Sequence, residues 1–270
     1  MILLDKSYFV HLFVSSIHFF AAADVADKGP LSTGFGQDAV HWLWGTPILA
    51  LTDDEAARSN SALVAHGRKL AATESSEIRS NRNGGWQSWN KQFLVPESHN
   101  ASSGIRAPVK RLRDRIMHVL SQYFAGPNHD DGAAAATGLP PEYEVSIDAS
   151  WLNVLPTAAI NGPHVHPFSA VSGAYYIDCG GNDSVPCSIS LLDPRPSAPL
   201  AKMPAVIRDE LNFGADWTLS VWPGTILIFP SWLAHWVPPN PESHQRMSIS
   251  FNACIRQKKT KKDGKLRVSS

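Results

Sequence analysis

Short apolar segments separated by proline, glycine and asparagine make up residues 142–256, and this punctuation is the strongest constraint on the fold. Segments rich in Val, Ile, Thr and aromatic residues indicate β-strands, and about eight in succession indicate a sandwich or jelly roll. We therefore expect a mainly β fold with helical support, in the α+β class. The predicted strands cover residues 145–153, the segment 161–167, and residues 171–178, 188–192, 217–222, 225–229, 234–237 and 246–254.

The last predicted strand has one polar and one apolar face. Within residues 246–252, Arg246, Ser248 and Ser250 share a face because side chains alternate along a strand, whereas the intervening positions, ending at Phe251, are apolar. A phenylalanine needs cover from water, so we expect helices to pack on the apolar face. The polar face is then left to line a pocket.

Two helices are predicted ahead of the strands. The first covers about residues 53–72, and Thr52 and Glu55 have the spacing of a capping box at its start. The second covers about residues 108–124, and residues 80–89 between the two are predicted to be loop. The chain then divides into an N-terminal extension over residues 1–37, a helix-rich supporting region over 38–141, a catalytic β core over 142–256 and a basic tail over 257–270.

Composition bears on partners and compartment. Lys and Arg together number 24, as do Asp and Glu, so the net charge gives no support to a nucleic-acid partner. Residues 1–23 contain a largely apolar run that ends in three alanines. It suits either a signal peptide, which would place the chain in the secretory pathway, or the start of a cytoplasmic protein. The run is too short and too polar for stable membrane insertion.

Cys179 and Cys187 flank a predicted hairpin loop. In an oxidising compartment they would form a disulfide, and elsewhere they would stay two thiols. The sequence leaves both states open.

Three histidines and one arginine form the most informative pattern. His164 and His166 are separated by one residue, so in an extended segment they share a face and can bind one metal ion. A third imidazole is available at His235. Further on, Arg246 and Ser248 also share a face, and a guanidinium beside a hydroxyl suits a carboxylate. Together these residues suggest a mononuclear iron site beside a pocket for a dicarboxylic acid.

In these motifs the chain resembles the 2-oxoglutarate/Fe(II)-dependent oxygenases, and within them a poorly characterised branch. The resemblance covers about residues 40–254 and implies a double-stranded β-helix core, with Fe(II) as cofactor and 2-oxoglutarate as cosubstrate. The motifs that carry it are HVHP at 164–167, SGAYY at 172–176, DPR at 193–195, GTILIFPSWLAH at 224–235 and RMSISFN at 246–252, with WGTP at 44–47 and SNRNGGWQS at 80–88 in the front half.

The resemblance assigns His164 and His235 as iron ligands, but the third position departs from the family. The usual third ligand is a carboxylate two residues after the first histidine, where this chain has His166. A neutral ligand leaves iron one charge more positive, and Fe²⁺ with the 2-oxoglutarate dianion is then formally neutral. We rank ligation by three histidines first. The alternatives are a His166 outside the metal's first coordination sphere, or a three-histidine dioxygenase that does not use 2-oxoglutarate.

For the cosubstrate, the resemblance implies a clamp on its distal carboxylate. Arg246 and Ser248 are the expected donors, and a strand tyrosine completes the clamp, Tyr176 by preference and Tyr175 if the register differs by one residue. Further candidates for the pocket wall are Asn153, Asn161 and Asn252.

The predicted activity is a 2-oxoglutarate-dependent Fe(II) oxygenase. It would consume O₂, release succinate and CO₂, and hydroxylate an unidentified small-molecule or peptide substrate. Besides the three-histidine dioxygenase, a non-catalytic jelly-roll binding protein is a further interpretation of the same pattern.

Overall fold

A computed structural model describes residues 46–76, 81–88, 92–100, 104–125, 139–181, 185–195, 204 and 216–258. The N-terminal extension, the apolar run within it and the tail after residue 258 lie outside the described residues. The elements, in chain order, are β1 (Leu49–Thr52), α1 (Ala57–Thr73), β2 (Asn81–Arg82), β3 (Trp86–Gln87), a 3-10 turn (Pro96–Ser98), α2 (Arg106–Ala125), β4 (Tyr143–Leu155), β5 (Ile160–His164), β6 (Val171–Asp178), β7 (Cys187–Leu192), β8 (Asp216–Val221), β9 (Thr225–Pro230), β10 (His235–Val237) and β11 (Arg246–Gln257).

Strands β4 to β11 form a double-stranded β-helix. They divide between a six-stranded sheet, in the order β1-β9-β6-β11-β4-β3, and a five-stranded sheet, in the order β2-β5-β10-β7-β8. Antiparallel pairing joins β4 with β11, β5 with β10, β6 with β9 and β7 with β8. The eight strands are thus one long hairpin whose tip is the β7–β8 connection, coiled so that its arms alternate between two sheets. This is jelly-roll topology, and it confirms the predicted fold class.

The alternation along β11 divides the sheet into a core face and a pocket face, as predicted. Met247, Ile249 and Phe251 are fully buried in the cluster that α1 and α2 contribute to. Arg246 and Ser248 lie on the opposite face, inside the jelly roll. Residues of this cluster from the helices are Leu63, Val109, Leu112, Ile116, Val119 and Leu120.

Both predicted helices are present, but the capping box is not formed. Thr52 is the last residue of β1, where it pairs with Thr225, and no side chain caps the first turn of α1. Glu55 accepts a hydrogen bond from Arg58 instead. β1 continues as far as Thr52, and the helix begins only at Ala57, so the threonine is held by the sheet and does not turn back to the helix amides.

Two short strands from the front half, β2 and β3, join both sheets through the turn between them. Asn83 and Gly84 have φ of 56° and 80°, the left-handed pair that an Asn-Gly hairpin turn requires. On either side of this turn, β2 pairs with β5 and β3 pairs with β4. The prediction of loop over residues 80–89 is therefore wrong for these two short strands. They cover the seam where the two sheets separate.

Cys179 and Cys187 are joined by a disulfide that links the end of β6 to the start of β7. The pairing that the sequence left open is thus made. Among the described residues, no helix combines the length and apolarity that a membrane span requires.

A buried ion pair fixes the two helices on the sheet. Both carboxylate oxygens of Asp53 accept from the guanidinium of Arg111 on α2, at 3.1 and 2.7 Å, and Asp53 is 3% exposed. The Nε of Arg111 also donates to Ser59 at 2.6 Å. Asp53 directly follows β1 and Ser59 lies in the first turn of α1. Through Arg111, these contacts therefore connect α2 with the start of α1 and with the sheet.

Arg111→Met is expected to lower the free energy of unfolding by about 3 kcal/mol, because it leaves the Asp53 carboxylate buried without its cation. Lys110→Met is the matched control on the same helix. Its partner Asp114 lies on the exposed face, where removal of the pair costs about 0.5 kcal/mol or less. Urea unfolding followed by circular dichroism measures both, and equal effects would show that the Asp53 pair does not hold the helices.

Candidate functional site

The three histidines of the sequence pattern come together at one end of the jelly roll. His164 ends β5 and His235 begins β10, and the two are direct cross-strand partners. His166 lies beyond the end of β5, where its backbone N–H donates to the carbonyl of Ser231. One ligand atom from each of the three rings lies within 4.8 Å of the others. β5 therefore ends before His166, but the loop that follows brings the ring of His166 back beside that of His164.

Backbone carbonyls orient two of the rings. The Nδ1 of His164 lies 2.7 Å from the carbonyl oxygen of Gly162, and the Nδ1 of His235 lies 2.9 Å from that of Leu233. A carbonyl only accepts, so each Nδ1 carries the proton and donates. Each Nε2 is then left with a free lone pair, the tautomer that a metal-binding histidine needs.

Burial keeps these imidazoles neutral. The pKa of His235 is lowered to about 4, first by burial and then by the neighbouring His164. Burial also lowers the pKa of His164, and the Gly162 carbonyl opposes that effect. Near pH 7 both rings are therefore unprotonated, and no proton has to be displaced before a metal binds.

Aromatic side chains pack against the histidine cluster. The ring of Phe229 lies 4.7 Å from that of His235, and the ring of Trp151 lies 5.5 Å from that of His166, centroid to centroid. Such walls hold the imidazoles in place and keep water from their sides. The pocket extends from the cluster into the jelly roll, and its lining comprises Trp151, Asn153, Leu155, Asn161, His164, His166, Gly173, Ala174, Tyr176, Ile189, Phe229, His235, Val237, Arg246, Ser248 and Ser250.

A buried arginine without an anion lies in the same pocket. Arg246 is 3% exposed, and its guanidinium donates only to the carbonyl of Pro238 at 3.2 Å and, weakly, to that of Ser188 at 3.5 Å. Within the described part of the chain no carboxylate pairs with it. Burial lowers the pKa of Arg246 to about 10, which still leaves it charged near neutrality. A buried cation of this kind is costly unless an anion binds it.

Two hydroxyl groups stand beside this arginine. Ser248 lies two residues further along β11 and is the cross-strand partner of both Tyr176 and Asn153. Tyr176 is 3% exposed, and burial raises the pKa of its hydroxyl, an effect that the nearby Arg246 opposes. The Tyr176 hydroxyl has no partner among the described residues. Three donor groups thus face one space, as a bound carboxylate requires.

Tyr175 points away from this space. Its hydroxyl donates to the side chain of Asn60 on α1, at 2.6 Å, and its ring lies in the core under the helices. The register therefore presents Tyr176, and not Tyr175, to the pocket.

The pocket wall also contains an asparagine that a β-bulge turns inward. His164 pairs with His235, but Val237, two residues further along β10, pairs with Asn161, three residues back along β5. The extra residue changes the alternation, so Asn161 lines the same pocket as His164. Asn252 lies outside the pocket lining and accepts a hydrogen bond from Ser172.

Asn81, on the short strand β2, touches this wall and was not identified from the sequence. Its Oδ1 accepts from Asn161 at 2.8 Å, and its Nδ2 lies 3.4 Å from the Oδ1 of Asn153. The signal for it was the SNRNGGWQS motif at 80–88, which is specific in composition but gives no indication that a two-residue strand crosses to the pocket.

The donor set fits a divalent first-row metal ion and a small dicarboxylate. Three imidazole nitrogens suit iron, zinc, copper or nickel and leave other coordination positions open. Arg246, Ser248 and Tyr176 supply a cation and two hydroxyls deeper in the pocket. The arrangement can therefore bind a metal and, beside it, an acid whose far carboxylate reaches the arginine.

The family comparison agrees with this chemistry. Residues 149–252 match the sequence profile of a family described as "Putative 2OG-Fe(II) oxygenase". No curated protein matches the chain.

Among solved structures, the chain is similar to the non-heme α-ketoglutarate-dependent epimerase SnoN from nogalamycin biosynthesis, at 15% identity and a TM-score of 0.49, over 80% of this chain and 82% of that one. A Pseudomonas putida prolyl-4-hydroxylase has 15% identity and a TM-score of 0.44, over 79% and 94%. A prolyl hydroxylase from Trichoplax adhaerens, in complex with a hypoxia-inducible-factor peptide, has 10% identity and a TM-score of 0.47, over 77% and 83%. The strand order, and not these scores, identifies the fold.

His164→Ala and His235→Ala are expected to abolish binding of Co(II), used as a spectroscopic probe, because each removes an oriented Nε2. His166→Ala should weaken binding more than about 100-fold if the ring is a ligand, whereas loss of a residue that only supports a ligand costs about 10- to 100-fold. Titration followed by the visible Co(II) spectrum measures this. His118→Ala, on the exposed side of α2, is the control, and full binding by His235→Ala would exclude the cluster as the site.

Proposed function

We propose that the chain, whose residues 149–252 match the sequence profile described as "Putative 2OG-Fe(II) oxygenase", is an Fe(II)- and 2-oxoglutarate-dependent dioxygenase that hydroxylates a substrate still to be identified. The observation that carries the proposal is the pairing, in one pocket, of a three-imidazole cluster with a buried guanidinium that lacks an anion. The cluster alone would suit several metals, and the guanidinium alone would suit many anions. Together they match a metal and a dicarboxylate bound side by side.

In the proposed site His164, His166 and His235 hold Fe(II). The carbonyls of Gly162 and Leu233 fix the rings of His164 and His235, while Phe229 packs against His235 and Trp151 packs against His166. The rings of His164 and His235 are neutral near pH 7, so they bind the metal without losing protons.

Arg246, Ser248 and Tyr176 hold the distal carboxylate of 2-oxoglutarate in this proposal. The guanidinium supplies charge and two donors, and the hydroxyls of Ser248 and Tyr176 supply one donor each. Asn153 forms the wall beside them. Iron and 2-oxoglutarate, when bound, supply activation of O₂ coupled to release of succinate and CO₂. The chain's part is to orient the cosubstrate and to exclude water from it.

Substrate is expected to approach past two loops at the histidine end. The loop after His166 and the loop before His235 are joined by hydrogen bonds from His166 N–H to the Ser231 carbonyl and from the Ser231 hydroxyl to the Ser169 carbonyl. Phe168 and Trp232, on these loops, are 99% and 54% exposed. These apolar side chains form the rim of the proposed entrance.

Arg246→Met is expected to raise the 2-oxoglutarate concentration needed for half-maximal binding by about 100-fold, because it removes the only buried cation at the clamp. Anaerobic titration of the Fe(II) protein, followed by the visible charge-transfer band of the chelate, measures this. Added guanidinium ion should restore part of the affinity. Arg58→Met, on the exposed side of α1, is the control, and an unchanged 2-oxoglutarate requirement in Arg246→Met would refute the clamp.

A second function is favoured by one observation, the histidine at the position of the usual carboxylate. A three-histidine dioxygenase would consume O₂ without 2-oxoglutarate.

We expect O₂ uptake by the Fe(II) protein to require 2-oxoglutarate and to release succinate in proportion. Oxygen-electrode traces with and without 2-oxoglutarate, with succinate quantified at the end, distinguish the two. Uptake that continues without 2-oxoglutarate and yields no succinate would establish the alternative.

A further inference from the structure

Four polar side chains form a continuous hydrogen-bonded row along the pocket wall. The Nδ2 of Asn161 donates to the Oδ1 of Asn81 at 2.8 Å, and the Nδ2 of Asn81 lies 3.4 Å from the Oδ1 of Asn153. The Nδ2 of Asn153 then donates to the Oγ of Ser250 at 3.0 Å. We call this the asparagine row. It runs from β5 through β2 to β4 and β11, across the seam between the two sheets.

One backbone carbonyl fixes the direction of the asparagine row. The Nδ2 of Asn81 also donates to the carbonyl oxygen of Trp86, at 3.2 Å. A carbonyl only accepts, so Asn81 cannot turn its oxygen to this position. Its Oδ1 must therefore face Asn161, which has to present its Nδ2 in return. The orientation of the Asn161 amide follows from this hydrogen bonding and is not a free choice between oxygen and nitrogen.

The row leaves one acceptor unused. The Oδ1 of Asn161 is buried and has no hydrogen-bond partner among the described residues, and the residue as a whole is only 7% exposed. Since its Nδ2 is held by Asn81, the oxygen cannot exchange places with the nitrogen. A buried acceptor without a donor is unfavourable, so this atom is suited to accept a hydrogen bond from a molecule that enters the pocket.

The cosubstrate cannot be that donor. As a dianion, 2-oxoglutarate offers carboxylate and keto oxygens, which only accept. These oxygens are complementary to the hydrogen-bond donors of Arg246, Ser248 and Tyr176. The pocket therefore presents two opposite hydrogen-bonding characters, donors around the arginine and an acceptor at Asn161.

The free acceptor lines the same pocket as the histidine cluster. The β-bulge places Asn161 opposite Val237, and Val237 is two residues along β10 from His235, which is roughly 7 Å at the rise of an extended strand. At the other end of the row the hydroxyl of Ser250 accepts from Asn153 and keeps its own hydrogen for a ligand. The row therefore offers a hydrogen-bond acceptor at Asn161 and a hydrogen-bond donor at Ser250, at its two ends.

We propose that the asparagine row is a substrate-recognition site, in which Asn161 Oδ1 accepts a hydrogen bond from an amide N–H of the substrate. This inference rests on the proposed function and names the chemistry of its substrate, a compound that carries an uncharged amide near the carbon to be oxidised. Asn81 is a positioning residue in this site, because it acts through the orientation of Asn161.

The test uses acetamide, and N,N-dimethylacetamide as the counterpart without a donor. Binding of each to the full-length protein, loaded with Zn(II) and with or without 2-oxoglutarate, is measured by ligand-observed NMR. Asn161→Leu is the main variant, and Asn161→Ala replaces it if the leucine variant does not fold. Asn252→Leu is the matched control outside the pocket. Calorimetry of 2-oxoglutarate binding is recorded for every variant.

We expect acetamide to bind the wild-type protein and the Asn252→Leu variant, and to bind the Asn161 variants about tenfold more weakly or not at all. N,N-dimethylacetamide should not bind, and 2-oxoglutarate affinity should change less than about twofold among the variants. The proposal is overturned by equal acetamide binding in the Asn161 variants, by equal binding of the two amides, or by absence of acetamide binding to the wild type. If 2-oxoglutarate binds neither the wild-type protein nor the variants, only the proposed function is contradicted. The amide measurement still stands in that case, because it is also made without 2-oxoglutarate.

Discussion

The antiparallel pairing of His164 with His235 is the constraint on which the rest of the site depends. It joins the second and seventh strands of the jelly roll, far apart in sequence, at the point where β5 ends and β10 begins. The same pairing sets which side chains further along these strands face inward. Because a one-residue slip would turn them to the other face, the hydrogen bonds of two short strands determine whether a metal site exists.

The buried arginine lowers the stability of the fold as long as no anion pairs with it. Arg246 lies on the pocket face of β11, directly before the methionine that begins the buried core face of that strand. The strand is thus anchored from the side of the helices, while its polar face carries an uncompensated charge. Stability gained from the core holds the guanidinium in position, so that in the proposed clamp the carboxylate of an incoming acid would meet a donor set already in place.

Alternation and composition predicted most of the fold but not its seam. The faces of β11 could be predicted because period-2 polarity depends only on local sequence. The capping box at Thr52 failed because the threonine is held in the sheet by Thr225, and the local pattern contains no sign of that pairing. The inward position of Asn161 needs a bulge relative to β10, which no pattern within β5 reveals. Asn81 was missed because a two-residue strand is too short to show any periodicity.

The two short strands β2 and β3 have a consequence for how this protein could be divided. The segment that matches the oxygenase family begins at residue 149, whereas β2 and β3 lie more than sixty residues upstream. A fragment limited to the matching segment would lose the strands that flank β4 and β5, and the unpaired backbone of both would become a template for association with other chains. It would also lose the amide that orients the pocket wall. The segment that matches the family profile is therefore smaller than the set of strands that encloses the pocket wall.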